Sequence, residues 1–323
     1  MFRYVDRLPY RTFPTLGEGE TPIIEVEGCE EQLGISKVWI KNEGQNPTGS
    51  HKDRMSPLIV ARAASLGYTT VVAASSGNAG ASLSAYAAAA GLKCKIVSTE
   101  KIHEQWEKAI TATGADIVKV EHPSLRWALV EKMVEEEDCY PATNYYNPPV
   151  GSNLFGVQGY LTVGLEIVEQ MRNNLPTAVI IPFVRGDLLW GVWAGLEEAK
   201  NRGWIEHIPR IYAVEPYPRL ELVLGGADYR ETFPGDSSLM PSIGGQTITY
   251  QAYDAVRCSR GKAVSVTNEE VADAQAELGR KGFYAEGSSA TAWRAVSKLV
   301  QSGELQEQDR VLLIMTSHGY KGV

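Results

Sequence analysis

Eight short runs rich in Val and Ile recur along the chain, and most are flanked by amphipathic stretches of a dozen residues or more. They cover residues 37–41 (KVWIK), 69–74 (TTVVAA), 94–98 (CKIVS), 116–120 (DIVKV), 178–183 (AVIIPF), 210–214 (RIYAV), 263–266 (AVSV) and 310–315 (RVLLIM). Each has the length of a strand. The longer stretches predict helices over residues 53–66, 78–90, 103–113, 124–137, 157–172, 188–201, 268–280 and 288–301. Thr267 and Asn268, followed by Glu269 and Glu270, give one of these a capping hydroxyl and acids in its first turn. Strands that alternate with helices need crossover connections, so the fold class expected is α/β, with mostly parallel sheets flanked by helices.

The 323 residues suffice for one large domain or two of ordinary size. With 44% hydrophobic and 22% charged residues, the chain can bury a core. The formal charge is −8 and the basic residues are scattered, which argues against a nucleic-acid partner held on a basic face. No run approaches the 18 or so apolar residues of a membrane span. The start, MFRYVDRLPYRTFPTLGEGE, lacks the apolar core of a signal peptide, so a soluble, cytoplasmic protein is expected. Cys29, Cys94, Cys139 and Cys258 lie far apart without a CxxC pair, so neither a disulfide framework nor a metal site is expected. Residues 140–152 (YPATNYYNPPVGS) are rich in Pro, Asn and Gly and mark a boundary or hinge. Residues 216–246 also look irregular.

Three loops carry chemistry. In KNEGQNPTGSHKDR, residues 41–54, a Pro-Thr-Gly turn follows a strand and delivers Lys52 to the start of a helix. An amine on a rigid junction, sheltered from bulk water, is able to shed its proton and attack a carbonyl. By itself, though, Lys52 would pass for a surface lysine. In ASSGNAGAS, residues 74–82, glycine allows a tight turn into a helix whose first N–H groups suit a carboxylate or phosphate, though a plain capped turn fits equally well. Neither GxGxxG nor GxxxxGK[ST] is present, so no dinucleotide fold or P-loop is indicated. The last strand ends in Thr316-Ser317-His318-Gly319, which places hydroxyls where open α/β sheets bind ligands, though a terminal strand with a polar tail fits this segment better when it is taken alone.

NPTGSHKDR, SSGNAGAS, GFYAEGSSATA and TSHG, with LGEGETP at residues 16–22, resemble, in the same order, the motifs of fold-type II pyridoxal-phosphate enzymes. The likeness spans residues 16–321 and is nearest to the threonine synthases. Serine/threonine dehydratases, cysteine synthases and the tryptophan synthase β chain are more distantly similar. The resemblance implies pyridoxal 5′-phosphate as cofactor, in a cleft between a smaller, mobile domain (53–147) and a larger one (1–52 plus 148–323). It makes Lys52 the lysine that carries the cofactor as an aldimine and moves protons on the substrate. Asn78 becomes the partner of the pyridoxal 3′-oxygen. Ser75, Ser76, Gly77, Asn78 and Ala79 form the loop for the substrate carboxylate, with Tyr145 nearby. Thr316 faces the pyridine nitrogen; a neutral hydroxyl there makes a weaker electron sink, better suited to expelling a β or γ group. Glu286 sits in a cofactor-proximal motif, as a cap or in a role not assigned. His51 and His318 flank the site without assigned roles.

Two departures stand out. The phosphate loop should follow AVIIPF, and here it reads Val184-Arg185-Gly186-Asp187-Leu188, with one glycine where threonine synthases have several Gly and Asn. Backbone N–H groups of Arg185, Gly186, Asp187 and Leu188 remain suited to an anion nest. In Asn144-Tyr145-Tyr146-Asn147-Pro148-Pro149-Val150, Tyr145 and Val150 stand where those enzymes carry a serine and an arginine for a substrate phosphate. Losing that arginine counts against phosphohomoserine. The expectation is therefore a lyase or replacement enzyme acting on a small O-activated serine, threonine or homoserine-type amino acid, and the resemblance implies a homodimer. A deaminating dehydratase and an inactive cofactor-binding protein are the alternatives.

Overall fold

The computed structural model describes residues 1–146 and 150–321. In chain order the strands are β1 (Ile23–Glu25), β2 (Lys37–Asn42), β3 (Thr70–Ala74), β4 (Lys93–Thr99), β5 (Asp116–Val120), β6 (Tyr140–Pro141), β7 (Ala178–Pro182), β8 (Arg210–Glu215), β9 (Ala263–Ser265) and β10 (Arg310–Met315). The α-helices are α1 (Cys29–Leu33), α2 (Ser56–Ser65), α3 (Asn78–Ala89), α4 (Glu104–Thr111), α5 (Leu125–Glu136), α6 (Leu161–Gln170), α7 (Asp187–Asn201), α8 (Leu220–Leu224), α9 (Tyr250–Cys258), α10 (Asn268–Arg280) and α11 (Gly287–Gln301). The chain divides into two compact units, Met1–Gly19 with Asn46–Gly159, and Glu20–Gln45 with Tyr160–Val323. The junction expected at 147 and 148 lies outside the described residues.

In the first unit, four strands run parallel in the order β5-β4-β3-β6. Val71 and Val72 of β3 are both buried, because helices cover both faces of a parallel sheet. Val72, Ala74 and Val97 pack with Trp127, Val130 and Met133 of α5. Met1, Leu8 and Phe13 pack with Leu58 and Ala61 of α2. The buried Glu18 carboxylate fastens the N-terminal segment, accepting from Thr15 Oγ1 at 3.1 Å, Leu16 N at 3.1 Å and Tyr86 Oη at 2.8 Å. Between β3 and β6 the chain order reverses, and such a reversal opens a crevice at the carboxyl ends of the strands.

In the second unit the order is β1-β2-β10-β7-β8-β9. Only the β1–β2 pairing is antiparallel. Here the reversal falls between β10 and β7. Helix α11 contributes Ala290, Trp293, Val296 and Leu299 to a core shared with β2, β7 and β10. Helices α6 and α7 cross at glycines, since a Cβ on Gly195 would stand 2.2 Å from Leu161 O.

All eight expected strands form, within a residue or two at their ends. The helix expected over 53–66 begins instead as a 3₁₀ turn at His51–Arg54, and the α-helix starts at Ser56 with Pro57 in its first turn. Residues 216–246 are not wholly irregular: α8 lies within them, and a 3₁₀ turn spans Pro241–Ile243. The expected cap at Thr267 is a full capping box with Glu270. No helix among the described residues is long and apolar enough to cross a membrane, and no cluster of potential metal ligands occurs among them.

Candidate active site

In the first unit the turn before α2 holds Lys52. Asp53 is buried and its carboxylate accepts from Thr48 N at 2.6 Å and Thr48 Oγ1 at 2.5 Å, which closes the Pro-Thr-Gly turn on itself. Lys52 N donates to Ser50 Oγ at 3.4 Å, and Met55 N and Ser56 Oγ donate to Lys52 O at 3.0 and 3.3 Å. The backbone of Lys52 is thus held from both sides while its side chain stays partly exposed. His51 is likewise partly buried.

Residues 75–79 lie at the carboxyl end of β3, beside the reversal of chain order. Ser75 N donates to Val97 O at 3.0 Å, and Ser75 Oγ accepts from Gly77 N at 3.3 Å and Gly80 N at 2.9 Å. The Ser75 oxygen therefore shapes the loop as an acceptor, and its O–H stays able to donate beside the backbone N–H groups. Asn78 is the first residue of α3 and is 8% exposed; Gly77 and Ala79 beside it are partly exposed. Ser76 Oγ accepts from Ser98 Oγ at 2.8 Å and Arg126 Nη1 at 3.2 Å. On the β6 side of the loop, Thr143 Oγ1 accepts from Ala74 N at 3.3 Å. Tyr145 packs on the Val72–Trp127 cluster, with its ring 5.9 Å from that of Tyr146. Asn147, Pro148 and Pro149 lie outside the described residues.

In the second unit, the loops after β7 and β10 flank the other reversal. Gly186 adopts φ +116° before the fifteen-residue helix α7, and a Cβ there would stand 2.2 Å from Ala252 Cβ, so only glycine fits. Asp187 opens the helix, Leu188 is buried behind it, and Arg185 is partly exposed. Three carbonyls of this loop, those of Phe183, Val184 and Arg185, are engaged by Arg219 and Thr249. Arg219, fully buried, donates to Phe183 O and Val184 O at 2.9 Å each and to Gly245 O. Arg185 O accepts from Thr249 N at 3.0 Å and Thr249 Oγ1 at 3.1 Å. In a trans peptide the N–H points opposite to the preceding carbonyl, so these contacts turn the N–H groups of Val184, Arg185 and Gly186 away from Arg219 and Thr249. Glu215 stands 3.3 Å from Arg219 Nε and accepts from the N–H groups of Arg219, Leu220 and Glu221 at 3.0 Å each. Burial pushes Glu215 above and Arg219 below its ordinary range, and the ion pair opposes both shifts.

Thr316, 6% exposed, closes β10. Its Oγ1 lies 2.7 Å from Ser289 Oγ, and Ser289 Oγ also accepts from Ser317 N at 3.0 Å. Glu286 is the N-cap residue of α11, with its carboxylate bonded by Ser242 Oγ and its N–H given to Ser317 O at 3.3 Å. Burial, with Lys321 nearby, pushes His318 below the usual imidazole range. Ser289, Arg219, Glu215, Ser98 and Arg126 escaped the sequence reading. Ser289 lies inside GFYAEGSSATA and was within its reach; the others lie in no motif.

These groups suit the cofactor that the motifs imply. A glycine-shaped loop with N–H groups turned outward, at the start of a long helix, is a cradle for a phosphate. The hydroxyl ending β10 is able to meet a ring nitrogen, and the pinned turn at Lys52 offers an amine. Comparison with known proteins agrees. The family described as "Pyridoxal-phosphate dependent enzyme" matches residues 14–317. The chain is 31% identical to a threonine synthase of Methanocaldococcus jannaschii, over 99% of this chain and 80% of that one. It is 32% identical to a threonine synthase of Bacillus sp. strain ULM1, over 95% and 84% of the two chains. Among solved structures, maize serine racemase superposes with a TM-score of 0.80 over 93% of this chain and 88% of the other, at 19% identity.

Proposed function

From the premise that the chain belongs to the pyridoxal-phosphate-dependent enzymes and is a threonine synthase-like lyase of that family, we propose that it acts on an O-activated serine, threonine or homoserine-type amino acid by β- or γ-elimination or replacement. The observation that carries this reading is the family match over residues 14–317, with Lys52, Asn78 and Thr316 all present at their motif positions. When bound, the cofactor supplies the electron sink that makes the substrate's α proton acidic. Lys52 would carry the cofactor and take that proton, and Ser50, Met55 and Ser56 fix the backbone from which its side chain extends. The N–H groups of the loop Ser75–Ala79 hold the substrate carboxylate, and Asn78 holds the cofactor's 3′-oxygen. Arg185, Gly186, Asp187 and Leu188 hold its phosphate through backbone N–H groups, and Thr316 faces its ring nitrogen. The enzyme is a cytoplasmic homodimer in this reading.

Phosphohomoserine is disfavoured as a substrate held in the manner of the resembling enzymes, because Val150 offers no charge where they place an arginine. The test is a visible absorption titration of the holoenzyme with phosphohomoserine, phosphoserine, O-acetylserine, serine and threonine, with product analysis. A band shift with one O-activated member, and a new amino acid or an unsaturated product, is the expected result. Ammonia and a 2-oxo acid from free serine or threonine would replace this reading with a dehydratase. Unchanged turnover in Lys52→Ala would overturn the catalytic assignment.

A further inference from the structure

Arg126 stands at the start of α5 with an unusual set of neighbours. Nη1 donates to Ser76 Oγ at 3.2 Å and Nε to Pro123 O at 3.0 Å, and the guanidinium lies 5.5 Å from the Trp127 ring. A guanidinium has five N–H donors, so three remain for another partner. Among the described residues, no carboxylate pairs with it. Arg210, Arg219 and Arg294, by contrast, face Asp309, Glu215 and Glu277. Burial pushes Arg126 below the usual arginine range, and no nearby acid offsets that. A partly buried cation without a counter-charge is costly, and such groups are normally matched by an anion.

Ser76 points to the same conclusion. Its oxygen accepts from both Ser98 Oγ and Arg126 Nη1, which uses its two lone pairs and leaves its O–H to donate. Trp106 walls the loop here, since a Cβ on Gly77 would meet its ring at 3.7 Å. The Arg126 guanidinium and the Ser76 hydroxyl thus both offer donors here. This spot lies on the β4 side of the loop, opposite the β6 side where Thr143 binds Ala74 N.

We propose that Arg126 and the Ser76 hydroxyl form a subsite for a second anionic group, a phosphate or carboxylate at the side-chain end of the amino-acid substrate. This rests on the reading that the loop Ser75–Ala79 binds the substrate's α-carboxylate through its backbone. Arg126 then takes over, from the start of α5, the charge that Val150 does not supply. It is a specificity residue, and its guanidinium touches the substrate.

The experiment is a set of absorption titrations of the wild-type, Arg126→Gln and Arg126→Lys holoenzymes. Phosphoserine and phosphohomoserine represent phosphates, aspartate and glutamate represent carboxylates, and O-acetylserine and serine are neutral. Wild type should prefer one anionic class over the neutral pair, and which class it prefers identifies the group. Arg126→Gln keeps a donor for Ser76 without the charge, and should lower the anionic-to-neutral affinity ratio by about 10- to 100-fold. Arg126→Lys should fall between them. A wild type without preference, or a ratio unmoved by Arg126→Gln, overturns the proposal. So does an equal loss for both classes, which would mean that Arg126 serves the α-carboxylate. Calorimetric titration of holoenzyme with inorganic phosphate and with succinate is independent of turnover. Binding lost in Arg126→Gln, with no amino acid in the panel shifting the spectrum, would retain the anion site and remove the substrate reading. No calorimetric difference between wild type and Arg126→Gln would remove the anion site itself.

Discussion

Replacing Arg219 by methionine tests whether the loop after β7 is held by a buried charge. Methionine preserves bulk against the rings of Phe183 and Tyr217, whose centroids lie 5.3 and 5.1 Å from the guanidinium carbon. It removes the Arg219 donors to Phe183 O, Val184 O and Gly245 O, with only Tyr217 Oη left to Gly245 O at 3.3 Å, and leaves Glu215 buried without its cation. Breaking a buried ion pair on one side costs about 3–5 kcal/mol, a large part of the roughly 5–15 kcal/mol that stabilises a typical domain. Charge and loop should fail together, so cofactor affinity falls along with stability. The pH dependence gives a second handle. Burial already lifts Glu215 above its ordinary 4.5, and Arg219 is the main group holding it down. Without Arg219 the folded-state pKa rises further. A carboxyl raised in the folded state contributes most below its unfolded pKa and loses that contribution as pH climbs through the folded value. Arg219→Met should therefore lose less stability near pH 5 than near pH 8. Urea denaturation followed by circular dichroism at the two pH values, with spectroscopic titration of pyridoxal phosphate, measures all three quantities. A loss below about 1 kcal/mol with unchanged cofactor affinity, or a larger loss at the lower pH, would refute the reasoning.

Gly186→Ala should weaken cofactor binding by tenfold or so while the fold survives, because overpacking against Ala252 at 2.2 Å costs about 1–3 kcal/mol; equilibrium dialysis reads it. Ser75→Ala removes the acceptor for Gly77 N and Gly80 N, and should cost about 1 kcal/mol in thermal stability while raising KM for substrate more than it lowers kcat. Of the four cysteines only Cys258 is exposed, and burial pushes Cys94 up to about 12, so a disulfide reagent should titrate one thiol in the native protein and four in denaturant. The Cys258 thiol is itself raised, by desolvation and Asp254, so its reaction should speed up as pH rises above neutral.

The strands were legible because a parallel strand covered on both faces must be apolar on both, and a run such as AVIIP announces that directly. The missed elements lacked such a signal. Strand β1 has three residues, two of them exposed, and exists because β2 offers an antiparallel edge from Ile23 opposite Lys41 to Glu25 opposite Trp39. Helix α1 has five residues between Gly28 and Gly34, both left-handed at φ 70° and 69°, so no helical periodicity has room to show. Helix α9 is capped by Thr249, which accepts from Ala252 N, yet lacks a long apolar face.

The site divides along the same line. Glycine and hydroxyl loops at strand ends can be read locally, because each residue acts on its immediate neighbours: Ser75 on Gly77 and Gly80, Asp53 on Thr48. The acceptors of the buried arginines cannot, because they are distant in the chain, although Glu215 lies only four positions before Arg219. Arg126 reaches Ser76 across fifty positions, and Arg219 reaches Phe183 across thirty-six. That distance bears on the loop that departs most from the threonine synthases. Several glycines there would let the backbone orient its N–H groups freely, whereas Val184, Arg185 and Asp187 have no such freedom. Arg219 and Thr249 impose the orientation from behind by taking the carbonyls, and Glu215 keeps Arg219 in place. In the proposed reading, a loop with one glycine thereby presents its N–H groups to an anion, at the cost of a buried ion pair. Its ability to hold an anion then depends on residues some thirty and sixty positions away, and these are what substitution should test first.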